Sequence, residues 1–180
     1  MVRFPIDDKL LIRIVRESLN DVHETFYGEY GMKNGVDFFL TGQAIGNLFE
    51  AFLCKRLCMC QPGTWRGGTG KFEKDIEHRF RKEWSFEIKT SSSKNAIVGN
   101  RSSASPGKRA KKKRDGYLLA INYKRATPNS PDMYITHVRL GKLRDSDWKA
   151  QRAKTGQAAR VSKHIIRKKM RSLYKYRVNT

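Results

Sequence analysis

Asp75, Glu87 and Lys89 are the residues whose types and spacing suggest chemistry. In Trp84-Ser-Phe-Glu-Ile-Lys-Thr90, the residues Trp84, Phe86, Ile88 and Thr90 alternate with Ser85, Glu87 and Lys89. A period of two is the mark of a strand, so Glu87 and Lys89 leave one face while Phe86 and Ile88 enter the core. Asp75 lies twelve residues before Glu87, on a strand expected over residues 73–79, and a hairpin brings the two acids together. Close carboxylates raise each other's pKa unless a cation sits between them. Mg²⁺ suits such a pair, because it is hard, seeks oxygen and keeps water and phosphate ligands. A bound ion lowers the pKa of its water and neutralises charge building on a phosphate. An adjacent ammonium orients that water or steadies the transition state. Together these groups describe a metal-dependent phosphodiesterase. The bland alternative is a strand-surface ion pair between Glu87 and Lys89.

The charge distribution favours the first reading. The chain has 180 residues and a net charge of +21. Residues 1–90 carry 14 basic and 13 acidic side chains, whereas residues 91–180 carry the other 24 and 4. A surplus confined to one half, net +20 against +1, calls for a polyanion, and a dense phosphate array is the natural one. No amphipathic helix joins bulky aromatics to a basic face, and no apolar run approaches the roughly 18 residues of a membrane span, so no membrane partner is expected. Three cysteines make no disulfide framework, which points to a reduced cytoplasm.

Elements must hold these residues. Leu11, Ile14, Val15, Val22 and Phe26 predict a helix over 8–26, capped by Asp7 or Asp8. Ile45, Leu48, Phe49, Phe52, Leu53 and Leu57 predict a second over 43–58. Gly70-Lys71 invites a phosphate-loop reading, but Trp65 and Phe72 stand where Gly and Ser or Thr are needed. Gly116–Tyr123 reads as a strand buried on both faces, and residues 132–140 as another. Residues 91–115 form a basic loop of net +7, and residues 159–175 a basic helix with Val161, Ile165, Ile166, Met170 and Leu173 as its buried stripe. The sum is one α/β domain over 1–180 with a mixed central sheet.

Asp75 followed by Glu87-Ile-Lys89 resembles the PD-(D/E)xK nuclease signature. The strings Trp84–Ser92, Gly99-Asn-Arg-Ser102, Gly116–Asn122, Asp147-Trp148 and Gly156-Gln-Ala158 resemble the ScaI-type group of type II restriction endonucleases, over roughly residues 40–160. The resemblance implies an αβββαβ core with a mixed central sheet flanked by helices. It also implies Mg²⁺-dependent cleavage of double-stranded DNA at a short sequence, a homodimer on a palindromic site, and a prokaryotic cell. Asp75 and Glu87 are then the metal ligands and Lys89 the residue that positions water. Lys74 stands where the signature has Pro, which leaves Asp75 and Glu77 both open as the first ligand. Glu50 matches an acid that many such nucleases bring from a helix, and is equally an ordinary exposed glutamate.

Asn100, Arg101 and Ser102 are candidates for base contacts, since Arg forks onto guanine and Asn onto adenine; turn chemistry or phosphate contact is the plainer reading. Lys94, Lys111, Lys112 and Lys113 are candidates for phosphate contacts that position without reading sequence. Lys163, Arg167, Lys168 and Arg171 either follow the DNA backbone or face solvent. Trp65 and Trp148 either stack on bases or pack in the core. Cys54, Cys58 and Cys60 with His78 make a zinc site conceivable, although their spacing does not favour one. Two other functions fit the sequence: a structure-specific nuclease such as a junction resolvase, and a non-catalytic nucleic-acid-binding protein.

Overall fold

The computed structural model describes residues 4–70, 72–99, 115–153 and 156–176, without the side chains of 151–153 and 156–158. Helix α1, Asp8–Glu24, starts where the Asp7 carboxylate accepts the amides of Lys9 and Leu10, and it buries Leu11, Ile14, Val15, Leu19 and Val22. A two-residue ladder follows, β1 (Phe26–Tyr27) with β2 (Met32–Lys33). Helix α2, Gly42–Cys60, is capped by the Thr41 hydroxyl and buries Ile45, Phe49, Leu53 and Leu57. Arg56 braces it to α1, forking onto Asp21 at 2.6 and 2.7 Å and reaching Glu17 at 2.8 Å.

The strands are β3 (Trp65–Gly67), β4 (Ile76–His78), β5 (Phe86–Ser91), β6 (Val98–Gly99), β7 (Gly116–Lys124), β8 (Tyr134–Leu143), β9 (Trp148–Ala153), β10 (Gly156–Val161) and β11 (Met170–Lys175). The main sheet runs β11-β8-β7-β5-β4-β3. Every neighbouring pair in it is antiparallel except β5 with β7, so the sheet is mixed. A parallel pair needs a long crossover, and residues 92–115 supply it. The smaller sheet runs β6-β10-β9.

Strand β7 is the spine. Tyr117, Leu119, Ile121 and Tyr123 enter the core beneath α1 and α2. Leu118 and Ala120 face the other way and pack with Ile97, Leu143, Val161 and Met170, beside Ile165 and Ile166 of helix α3, Lys163–Lys169. The expected burial of this strand on both faces is therefore what the structure has, and helices lie on both sides of a mixed sheet.

The helix expected over 159–175 is not formed as such. Val161 closes β10 opposite Trp148, Ser162 caps a helix of only seven residues, and the chain turns back into a strand at Met170. The apolar stripe was thus shared among a strand, a short helix and another strand. Gly141 makes the last turn possible, since a Cβ there would run into the Lys169 carbonyl and the Met170 backbone. Within the expected loop at 91–115, Ser91 still belongs to β5, and Val98–Gly99 form β6 against β10. Strand β4 is shorter than the expected 73–79, and Asp75 stands just before it.

Candidate active site

Strand β4 meets β5 through a single ladder pair, Ile76 with Phe86. Beyond that pair the Asp75 side chain takes over from the backbone, its Oδ2 accepting the Ile88 amide at 2.8 Å. This bond fixes the carboxylate at the edge of β5, on which Glu87 and Lys89 stand. Lys89 Nζ lies 3.7 Å from Asp75 Oδ2 and 3.6 Å from Glu87 Oε2, and it donates to the Ile88 carbonyl at 2.8 Å. The three side chains named from the sequence therefore converge. Asp75 and Glu87 are 14% and 13% exposed and Lys89 25%, so the acids are largely withdrawn from water while the amine stays reachable.

Glu77, the rival for the first acid, is occupied differently. It is buried, its Oε1 accepts the Lys74 amide at 2.6 Å, and its Oε2 accepts the Ser85 hydroxyl at 2.8 Å. It ties down the chain on both sides of the hairpin. Lys74 brings a second amine, its Nζ 3.7 Å from Glu87 Oε1.

Glu50 is half-buried on α2 and lines a cleft of about 360 Å³ with Gln43, Gly46, Asn47, Lys89, Thr90 and Gly99. Gly46 lets the helix approach this end of β5, because a Cβ there would stand 3.0 Å from Thr90 Oγ1. Glu50 and Lys89 thus open onto the same space.

Among the described residues no three His, Cys, Asp or Glu side chains form a metal cage. The donor type of Asp75 and Glu87 suits a hard divalent ion such as Mg²⁺, which commonly takes one or two carboxylates and completes its shell with water and phosphate. The cysteines have other surroundings: Cys58 donates to the Trp65 carbonyl at 3.2 Å, and Cys54 is pushed up to about 11, mainly by burial. His78 Nδ1 accepts the amides of Phe80 and Arg81.

The profile of the ScaI restriction endonuclease family matches residues 1–174. The chain belongs to that family. It is also 34% identical over 157 residues to the type II restriction enzyme ScaI of Streptomyces caespitosus, covering 85% of this chain and 67% of the relative. Membership makes the chain a site-specific deoxyribonuclease. The ScaI family match extends beyond the residues 40–160 on which the resemblance was noticed, and takes in α1 and most of β11.

The other expected DNA contacts fare variously. Lys94 is exposed on the segment that leaves β5. Asn100, Arg101, Ser102, Lys111, Lys112 and Lys113 lie outside the described residues. Trp65 is 2% exposed and bonds Gln61 through its indole N–H, so it does not stack on bases. Arg171 lies on β11 rather than on a helix, and pairs with Asp8.

One polar group escaped the sequence reading. Arg139 is 4% exposed, donates to Asn122 Oδ1, and reaches the Asn95 carbonyl at 3.2 Å. Asn122 Nδ2 donates to the Ser93 and Ala96 carbonyls at 2.8 and 3.0 Å. Together they hold the segment between β5 and β6, which leads from the site toward Asn100–Ser102. A signal was present in the sequence: Asn122 alone interrupts the apolar run Tyr117–Tyr123.

Proposed function

We propose that the chain is a Mg²⁺-dependent endonuclease of the PD-(D/E)xK type, cutting double-stranded DNA at a specific short sequence within a restriction–modification system. The observation that carries this reading is the convergence of Asp75, Glu87 and Lys89 at the edge of β5. The order of elements supports it. Helix α2 is followed by the antiparallel run β3-β4-β5 and then by β7 parallel to β5, as an αβββαβ core requires. The second helix of that order would fall in the crossover, where residues 92–99 hold none and residues 100–114 lie outside the described set.

Asp75 and Glu87 would hold the ion, with Glu50 across the cleft as a further acid. When bound, the ion supplies Lewis acidity and a water of lowered pKa. Lys89 Nζ donates a hydrogen bond to the attacking water or to a phosphate oxygen, and its contacts with both acids keep it aimed. The Ile88 amide fixes Asp75 so that no reorganisation is needed as charge develops. Lys94, Lys111, Lys112 and Lys113 contact phosphates, and Asn100, Arg101 and Ser102 contact bases. A homodimer delivers one such centre to each strand of a palindrome. The reaction belongs in the cytoplasm of a prokaryotic cell; among the described residues no helix is long and apolar enough to cross a membrane.

The test is plasmid and phage DNA incubated with the protein in Mg²⁺, beside EDTA and Lys89→Ala controls. Discrete fragments that vanish in both controls are expected. A smear lost in both controls would replace this reading with a structure-specific nuclease. Intact but gel-shifted DNA under every condition would leave a binding protein.

A further inference from the structure

Glu87 has an ammonium at each end of its carboxylate. Lys89 Nζ stands 3.6 Å from Oε2 and Lys74 Nζ 3.7 Å from Oε1. Lys89 belongs to the signature; Lys74 replaces its Pro. The Lys74 side chain is only 12% exposed, so it is not a surface amine that happens to pass. Its backbone amide is held by Glu77, and its stem runs along Gly116 at the start of β7, where a Cβ would lie 3.7 Å from Cε. The neighbours of Lys74 thus direct it to Glu87.

The consequence is one of charge. Asp75 and Glu87 with Lys89 alone make a set of net −1. With Lys74 the set is neutral. A divalent ion entering between the acids loses one unit of attraction and must compete with Lys74 for a Glu87 oxygen. We propose that Lys74 is a resident counter-ion of Glu87 that a divalent metal has to displace, so that it sets the metal concentration at which the site fills. This rests on the reading of Asp75 and Glu87 as metal ligands. Lys74 acts through Glu87 and is a positioning residue, not a catalytic one. The phosphates of bound DNA would restore the missing negative charge, so the site fills readily only when substrate is present.

The experiment measures Mn²⁺ binding to the DNA-free protein, by the electron paramagnetic resonance of free Mn²⁺. The proteins are wild type, Lys74→Met, Lys74→Arg and Glu87→Gln. Met keeps the length and apolar stem of the side chain and removes the charge. Lys74→Met should bind Mn²⁺ roughly tenfold tighter than wild type or better, the scale of losing one close charge partner. Lys74→Arg should stay near wild type, and Glu87→Gln should bind much more weakly. A side chain that merely shaped the site would weaken binding when changed, so tightening is the diagnostic sign. Unchanged or weaker binding in Lys74→Met, with Glu87→Gln defective, would overturn the role of Lys74 and leave the metal site standing. If Glu87→Gln binds as well as wild type, the metal-site reading itself fails and this inference with it.

Discussion

The Asp75 carboxylate accepts the Ile88 amide at 2.8 Å, where the ladder between β4 and β5 has already ended. One side chain therefore both closes a strand pair and presents a charge to Lys89. The two roles separate by substitution. Asp75→Asn keeps an oxygen for Ile88 and loses the charge; Asp75→Ala loses both. Asp75→Asn should fold with nearly wild-type stability and lose at least about 100-fold in cleavage, the scale of one preorganised electrostatic group. Asp75→Ala should lose cleavage as fully and also about 1–3 kcal/mol of stability, because a buried amide is left without its acceptor. Urea unfolding beside fragment assays distinguishes the pair.

Glu77 should behave in the opposite way. Its carboxylate serves the Lys74 amide and the Ser85 hydroxyl. Glu77→Ala should lower stability by about 2–3 kcal/mol, since it unties two bonds to a charged acceptor. Glu77→Gln keeps one acceptor oxygen and should recover part of that loss. Cleavage per folded molecule should fall far less than in Asp75→Asn. An equal loss of cleavage in Glu77→Gln would return Glu77 to contention as a metal ligand.

Much of this was legible in the sequence, for reasons that can be named. The alternation from Trp84 to Thr90 fixes which side chains share a face, so the adjacency of Glu87 and Lys89 is local geometry. Helices α1 and α2 were readable because each keeps one apolar stripe along its length. The sequence leaves Asp75 and Glu77 both open as the first ligand, because residues two apart look equivalent until a partner engages one of them. Ser85 and the Lys74 amide engage Glu77; Ile88 engages Asp75. The basic C-terminal segment misled because Val161, Ile165, Ile166 and Met170 sit at helical spacing while packing against one shared cluster from three elements. The helix stops where Met170 pairs with Gly141, a close backbone approach that leaves no room for a Cβ.

The pair Arg139 and Asn122 carries a third prediction. Burial lowers the Arg139 pKa, and its guanidinium is held by an amide oxygen and a carbonyl. Arg139→Met should release the segment from Ser91 to Ile97 at a cost of about 2–3 kcal/mol. Limited proteolysis near Lys94 should then be faster than in wild type. Half-saturation of cleavage should move to higher DNA concentration, while Lys89 and its acids remain in place.

His137 gives a pH dependence whose sign is fixed. Its pKa is lowered from 6.5 to about 4, first by burial and then by Arg139 and Lys175. The unfolded chain takes up a proton in this window and the folded chain does not. The stability gained by keeping His137 neutral is therefore present above pH 6.5 and is lost as pH falls toward 4. His137→Gln should flatten that part of the stability profile, measured as urea midpoints between those limits.

Lys74, Asp75, Glu87 and Lys89 all come from one short stretch of chain that ends just before Ser91. The most basic part of the sequence begins immediately after it. Mutation and recombination can thus rework the basic segments that follow, proposed above to contact DNA, without touching the stretch that carries Asp75 and Glu87. A lineage built this way can change the word it reads while inheriting the blade unaltered.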